Sequence, residues 1–272
     1  MMKTLIILTI VLCFMCGCST RQDTSEQNIL GSGNWIDLSH DFAADTIYWP
    51  TAEPFKLSTV SAGKTDAGYY YSAYQFCASE HGGTHIDAPV HFAEGRNSVD
   101  QISLDRLIGP AIKVDVSTKA KADRDYLIRV ADFESWETQN GKIPDDSIVL
   151  LQTGWAEYWN DRMKYLGTDK RGAEAVAELH FPGLAPEAAR WLTEKRKIKA
   201  IGLDTASIDY GQSKLFESHR ILMGQNIAAF ENVADLDRLP TKIALLIAMP
   251  MKIRGGSGGP LRIIALVDRA RT

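Results

Sequence analysis

From residue 34 onward, apolar positions come in short runs closed by Gly, Pro, Asn and Asp rather than in long helical stripes. Residues 34–39 and 70–79 read as strands, the second rich in aromatics and bounded by Gly68. A further strand is expected over residues 111–116, after Gly109-Pro110, and the β-rich run 147–153 reads as a central one. Residues 200–205, 243–249 and 261–267 complete the strands. Helical spacing is confined to three places. Residues 131–139 stop at Asn140-Gly141 with Pro144 beyond, and residues 186–196 carry Pro at the start and basic side chains at the end. Residues 218–223 form a short third helix. Strands outnumber helices and do not alternate strictly with them, which favours an α/β fold with a mixed sheet over a Rossmann or TIM architecture. No repeat or low-complexity segment interrupts the pattern.

Before residue 34 the pattern changes. Met1-Met2-Lys3 gives a positive start, and residues 5–15 are an apolar run too short to span a bilayer comfortably. Cys13, Cys16 and Cys18 cluster at its end. Met15-Cys16-Gly17-Cys18-Ser19 resembles a bacterial lipoprotein signal in which Cys18 is lipidated and becomes the first residue. Met15 and Cys16 are unusual in such a box, so a plain export signal is the alternative. No histidine or second cysteine pair lies near to make these cysteines a zinc finger. The chain therefore divides into a leader over residues 1–17, a polar tether over 18–33 and one domain over 34–272. This points to a membrane-anchored lipoprotein of a bacterial cell envelope, or otherwise to a periplasmic or secreted protein. Once the leader is removed, Cys77 is the only cysteine besides Cys18, so the core has to hold by burial alone. A hydrophobic content of 45 % is ample for that. A net charge of −4, with no basic patch, argues against nucleic acid as a partner.

The chemistry concentrates in His81-Gly82-Gly83-Thr84-His85-Ile86-Asp87-Ala88-Pro89-Val90-His91, which holds half of the six histidines. Imidazole nitrogens and a carboxylate are the ligands a catalytic divalent metal prefers. Two glycines allow a tight path after His81, and Pro89 pushes Ala88 to extended geometry. In an extended run His85 and Asp87 point to the same side. A His-Glu-x-x-His helix is excluded, because Glu80 precedes the first His and Gly82-Gly83 would break the helix. His219 and Glu231 form a second imidazole–acid pair, yet spacing alone does not link them to the first cluster. His219 could equally cap a helix and Glu231 could be solvated. The run Gly255-Gly256-Ser257-Gly258-Gly259-Pro260 lacks the Lys-Ser/Thr of a phosphate loop and reads as a turn beside the site. Cys77 reads as a buried strand residue, His40 and His180 have no evident partners, and Asp204 and Asp209 are left outside the site.

Residues 81–92 resemble the signature of the metal-dependent cyclase family, which includes bacterial kynurenine formamidase and isatin hydrolase. The resemblance continues through Trp49-Pro50, Leu151-Gln152-Thr153-Gly154, Phe181-Pro182-Gly183-Leu184, residues 201–209 and 219–231, and Pro250-Met251-Lys252-Ile253. It implies a single domain of the swivelling β/β/α type. It also implies that His81, His85 and Asp87 ligate one metal, with Asp87 bridging to a second held by His219 and Glu231. The cofactor would be one or two zinc ions, or manganese. His91 falls at the position of the catalytic acid/base, a further ligand being the alternative, and Trp49 at an aromatic wall for an aryl substrate. The activity implied is hydrolysis of a small aryl or cyclic amide, arylformamidase-like first and isatin hydrolase-like second. Water on the metal, its pKa lowered from about 16 toward 7, would supply hydroxide at neutral pH. A non-catalytic metal-binding lipoprotein is the reading from another class. Relatives suggest a homodimer.

Overall fold

The computed structural model describes residues 33–268, so the leader, nearly all of the tether and the lipidation expected at Cys18 lie outside the described residues. Its organising element is a sheet that closes on itself. Twelve strands are described: β1 Asn34–Asp37, β2 Lys56–Lys64, β3 Tyr70–Cys77, β4 His85–Asp87, β5 Ile108–Asp115, β6 Leu127–Ile128, β7 Ile148–Gln152, β8 Gly183–Leu184, β9 Ala200–Leu203, β10 Ala228–Glu231, β11 Lys242–Pro250 and β12 Gly258–Val267. Seven close a ring in the order β12-β11-β5-β7-β9-β10-β4, with β4 returning to β12. One edge of β12 takes β4 at Gly258–Pro260 and then β1 from Ile264 onward. Pairing is parallel from β5 through β10 and antiparallel elsewhere in the ring. This is the mixed α/β single domain expected, with a barrel-like sheet.

Alternation along the strands divides the core in two. Ile148 and Leu150 face the interior of the ring with Ile86, Phe230, Leu246 and Ile263. Val149 and Leu151 face outward onto three helices: α1 Val130–Asn140, α2 Pro186–Lys195 and α3 Glu217–Gly224. Strands covered on both faces read as continuous apolar runs, and β7 and β9 are buried throughout. Each fully buried Leu or Ile in these layers contributes about 1.5–3 kcal/mol. Local signals set the helix ends. The Arg129 N–H donates to Asp132 Oδ2 at 2.7 Å at the start of α1, and Pro186 opens α2.

The expected strands and helices are present with ends displaced by a few residues. Four strands were not anticipated: the nine-residue β2, whose Ser- and Lys-rich sequence hides its pairing, the four-residue β10, and β6 and β8, which form a two-residue ladder. Cys77 is exposed rather than buried, because β3 pairs only with β2 in a two-stranded hairpin with both faces largely in solvent. Aromatic content suggested a core strand there, but among the described residues no third strand pairs with the hairpin.

Candidate metal centre

Three elements bring the site together. β4 sends Ile86 into the ring and leaves His85 and Asp87 on its outer side, as the period of two requires. β10 runs antiparallel to β4 with Glu231 opposite His85. α3 packs over them and delivers His219. His81 comes from the turn before β4. That turn needs its glycines: a Cβ on Gly82 would sit 2.0 Å from the Tyr48 ring, and Gly83 has a left-handed φ of +58°.

The result is two overlapping groups that share Asp87: His81, His85 and Asp87, and Asp87, His219 and Glu231, with the donor atoms of each group within 4.8 Å of one another. His219 Nε2 lies 3.1 Å from both Asp87 Oδ2 and Glu231 Oε1. His85 Nε2 lies 3.1 Å from Asp87 Oδ1 and 3.4 Å from Glu231 Oε2. Neither His219 nor Glu231 caps a helix in solvent; both are buried. The second ring nitrogens are committed elsewhere. His85 Nδ1 donates to the Gly83 carbonyl at 2.9 Å, and His219 Nδ1 to Asp209 Oδ2 at 2.6 Å. In neutral rings both Nε2 atoms then carry lone pairs aimed at carboxylates.

Lone pairs facing carboxylates in a buried site call for positive charge between them. Without a metal that charge has to be protons. Burial opposes it, but Asp87 and Glu231 lift the His85 pKa to about 10, and with Asp209 they lift His219 well above its ordinary value. Burial would raise Asp87, yet the surrounding imidazoles hold its carboxyl well below the usual range. His85 Nε2 is buried without an aligned hydrogen bond. An orphaned imidazole nitrogen among two carboxylates and two further imidazoles is a donor set that fits a divalent ion, with the partner-held Nδ1 atoms fixing ring orientation.

The cluster opens into a cavity of about 400 Å³ walled by Ile47, Tyr48, Trp49, Phe92 and Phe216. Trp49 packs against Phe181 and Phe216 while keeping a face on the cavity. Phe216 holds a left-handed φ of +47° just before α3, an uncommon state for a bulky residue that aims its ring at this wall. His91 also lines the cavity, stacked on His81 with ring centroids 3.9 Å apart. Burial is the main cause that pushes its pKa down to about 4, so the ring is neutral at pH 7.

All seven candidates in the described chain meet in this one region. Residues left out also belong to it. Asp209 orients His219, and the Ile208 N–H donates to Glu231 Oε1 at 2.7 Å. Ser257 reaches His81 Nε2 at 3.0 Å and is itself bonded to Glu80. Asp209 and Ile208 were signalled only by the segment 201–209 and Ser257 only by the run 255–260, while Glu80 was noted only as the residue before His81. The remaining histidines lie apart: His40 stacks on Trp159, and His180 pairs with Asp125 at 2.7 Å.

Comparison with known proteins agrees with this geometry. A family model named Cyclase matches residues 36–210. Isatin hydrolase of Roseibium aggregatum is 32 % identical over 243 residues, covering 86 % of this chain and 87 % of the relative. Kynurenine formamidase of Bacillus cereus is 28 % identical over 233 residues, covering 86 % and 97 %. Among solved structures, isatin hydrolase A from Ralstonia solanacearum superposes with a TM-score of 0.78 at 32 % identity, covering 87 % of this chain and 92 % of that one. An isatin hydrolase bound to the product analogue thioisatinate gives 0.80 at 28 % identity, covering 90 % and 96 %. Sequence, closed sheet and acid–imidazole cluster together make this chain a member of the cyclase family.

Proposed function

We propose that this protein is a metal-dependent amidohydrolase acting on a small aromatic amide. The observation that carries the reading is the buried acid–imidazole cluster, with His85 Nε2 unpartnered, at the floor of an aromatic-walled cavity. His81, His85 and Asp87 would hold a divalent ion, with Asp87, His219 and Glu231 available for a second. Zinc and manganese both suit these donors. Such an ion supplies Lewis acidity toward a carbonyl oxygen and lowers the pKa of coordinated water to about 7.

The chain's own groups supply the rest. Gly83 and Asp209 hold His85 and His219 in the tautomer that leaves Nε2 free. Trp49, Phe92 and Phe216 seat an aryl ring and exclude bulk water. His91, on the cavity wall, takes a proton from the attacking water and delivers it to the departing nitrogen, which is acid/base work suited to an imidazole.

Two aryl amides come from the relatives. A cyclic amide of the isatin kind is favoured by the higher identity to isatin hydrolase, 32 % against 28 %. N-formylkynurenine, cleaved to kynurenine and formate, is the second reading. An extracytoplasmic location through lipidated Cys18 fits a scavenging or detoxifying hydrolase. The test is hydrolysis of isatin and of N-formylkynurenine by the purified protein loaded with zinc or with manganese. Turnover of either, abolished by a chelator and restored by metal, supports the proposal. No turnover of either, with His91→Ala binding metal as wild type does, would favour a metal-binding lipoprotein without catalysis.

A further inference from the structure

The glycine-rich run that leads into β12 has a use that the reaction outlined above leaves unassigned. Ser257 sits at its centre with its hydroxyl 3.0 Å from His81 Nε2. The same hydroxyl donates to Glu80 Oε2 at 2.7 Å, and the Ser257 N–H donates to that oxygen at 3.0 Å. The flanking glycines permit this close approach. A Cβ on Gly256 would lie 2.7 Å from Glu80 Oε1, and one on Gly258 would lie 2.5 Å from both His81 Cε1 and the Ile86 carbonyl.

The polarity of this chain of bonds follows from donor counting. An ionised carboxylate only accepts, so the Ser257 hydroxyl proton is committed to Glu80. Ser257 Oγ is then left to accept, and His81 Nε2 has to be the nitrogen that carries hydrogen. In a neutral ring the lone pair is left on Nδ1, which points at Asp87 Oδ1 across 2.7 Å. His85 and His219 are arranged the opposite way, with Nδ1 tied to protein acceptors and Nε2 facing the acids.

We propose that Glu80 and Ser257 are positioning residues that set His81 in the Nε2–H tautomer, so that it offers Nδ1 to the metal while His85 and His219 offer Nε2. The Gly-Gly-Ser-Gly-Gly run is thus the support of one ligand rather than a phosphate loop. The proposal rests on the metal reading above, and the two are separable by experiment.

Long-range ¹H–¹⁵N correlation spectra of the zinc-loaded protein report which ring nitrogen of each histidine carries hydrogen. We expect His81 protonated at Nε2 and His85 and His219 at Nδ1. Ser257→Ala should erase the His81 pattern and weaken zinc affinity by roughly 10–100-fold, the usual effect of losing such a support. Ser257→Thr, which keeps the hydroxyl, should restore both, separating the relay from a general folding defect. His81 protonated at Nδ1, or a Ser257→Ala protein with unchanged spectrum and affinity, overturns the relay while leaving the metal site standing. Wild-type protein that binds no divalent ion overturns both.

Discussion

Asp209 shows how much depends on a single carboxylate beside a ligand. It accepts from His219 Nδ1 at 2.6 Å and from the backbone N–H groups of Ser218 and His219, which locks the ring. Asp209→Asn should lower divalent-metal affinity by about 10–100-fold, read by competitive titration with a chromophoric chelator. An affinity equal to wild type would remove Asp209 from the site. His91 should behave differently. His91→Ala is expected to lower kcat by about 10²–10⁴-fold with metal content unchanged, because the role proposed for it is to move protons rather than to hold the ion. Metal loss in that variant would make it a ligand. Metal analysis of Glu231→Gln then addresses the second position: retention of two ions per chain would end the assignment of Glu231. Residue chemistry of this kind was largely legible beforehand, since His85 and Asp87 share a side of any extended strand. Asp209 was not, because nothing local in Ser207-Ile208-Asp209 reveals a histidine ten positions later folded back onto it.

At the scale of elements, β4 is the smallest strand in the ring and the most constrained. It pairs with β10 on one side and β12 on the other, so both of its ligands sit between two fixed backbones. Gly258 stands opposite Asp87, where a Cβ would meet the Ile86 carbonyl as well as His81. Gly258→Ala should cost about 1–3 kcal/mol in urea unfolding, because the Ile86 carbonyl belongs to a strand paired on both sides and the His81 ring is held at both nitrogens. An unchanged midpoint would show that this contact is soft. The β2–β3 hairpin has the opposite character. Tyr70, Tyr74 and Phe76 share a face and are each more than half exposed, and a two-stranded ribbon alone is marginal in water. Aromatic alternation announced β3 clearly. That its partner is a lone polar strand, rather than the main sheet, was invisible, since pairing is decided by chain segments far from either strand.

For the whole molecule, pH should act on stability through His40. Burial, only partly offset by Asp235 and Asp41, lowers its pKa to about 4, and its ring is stacked on Trp159. Above pH 6.5 the residue is neutral folded and unfolded, and it contributes no pH dependence. As pH falls from 6.5 toward 4 the unfolded chain takes up a proton that the folded chain refuses, so stability declines. The loss is about 2 kcal/mol by pH 5. His40→Phe, which keeps a ring for Trp159, should reduce the difference between unfolding free energies at pH 7 and pH 5 by that amount. Equal pH dependence in the two proteins would refute the assignment. The leader expected from the sequence belongs to this scale too: labelled palmitate should appear on the expressed protein and vanish in Cys18→Ala, and an unlabelled wild-type protein would end the lipoprotein reading.

The sequence by itself determined the class of fold, the strands with strong apolar runs, and the nature of the chemistry in residues 81–91. These are local properties: periodicity, turn residues and donor type survive without knowledge of contacts. Tertiary structure alone decided that β10 and α3 bring Glu231 and His219 onto Asp87, that Asp209 and Ser257 orient the imidazoles, and that Cys77 faces solvent. Those outcomes depend on how segments pack after the chain folds back, from ten positions for Asp209 and His219 to well over a hundred for Asp87 with His219 and for Ser257 with His81.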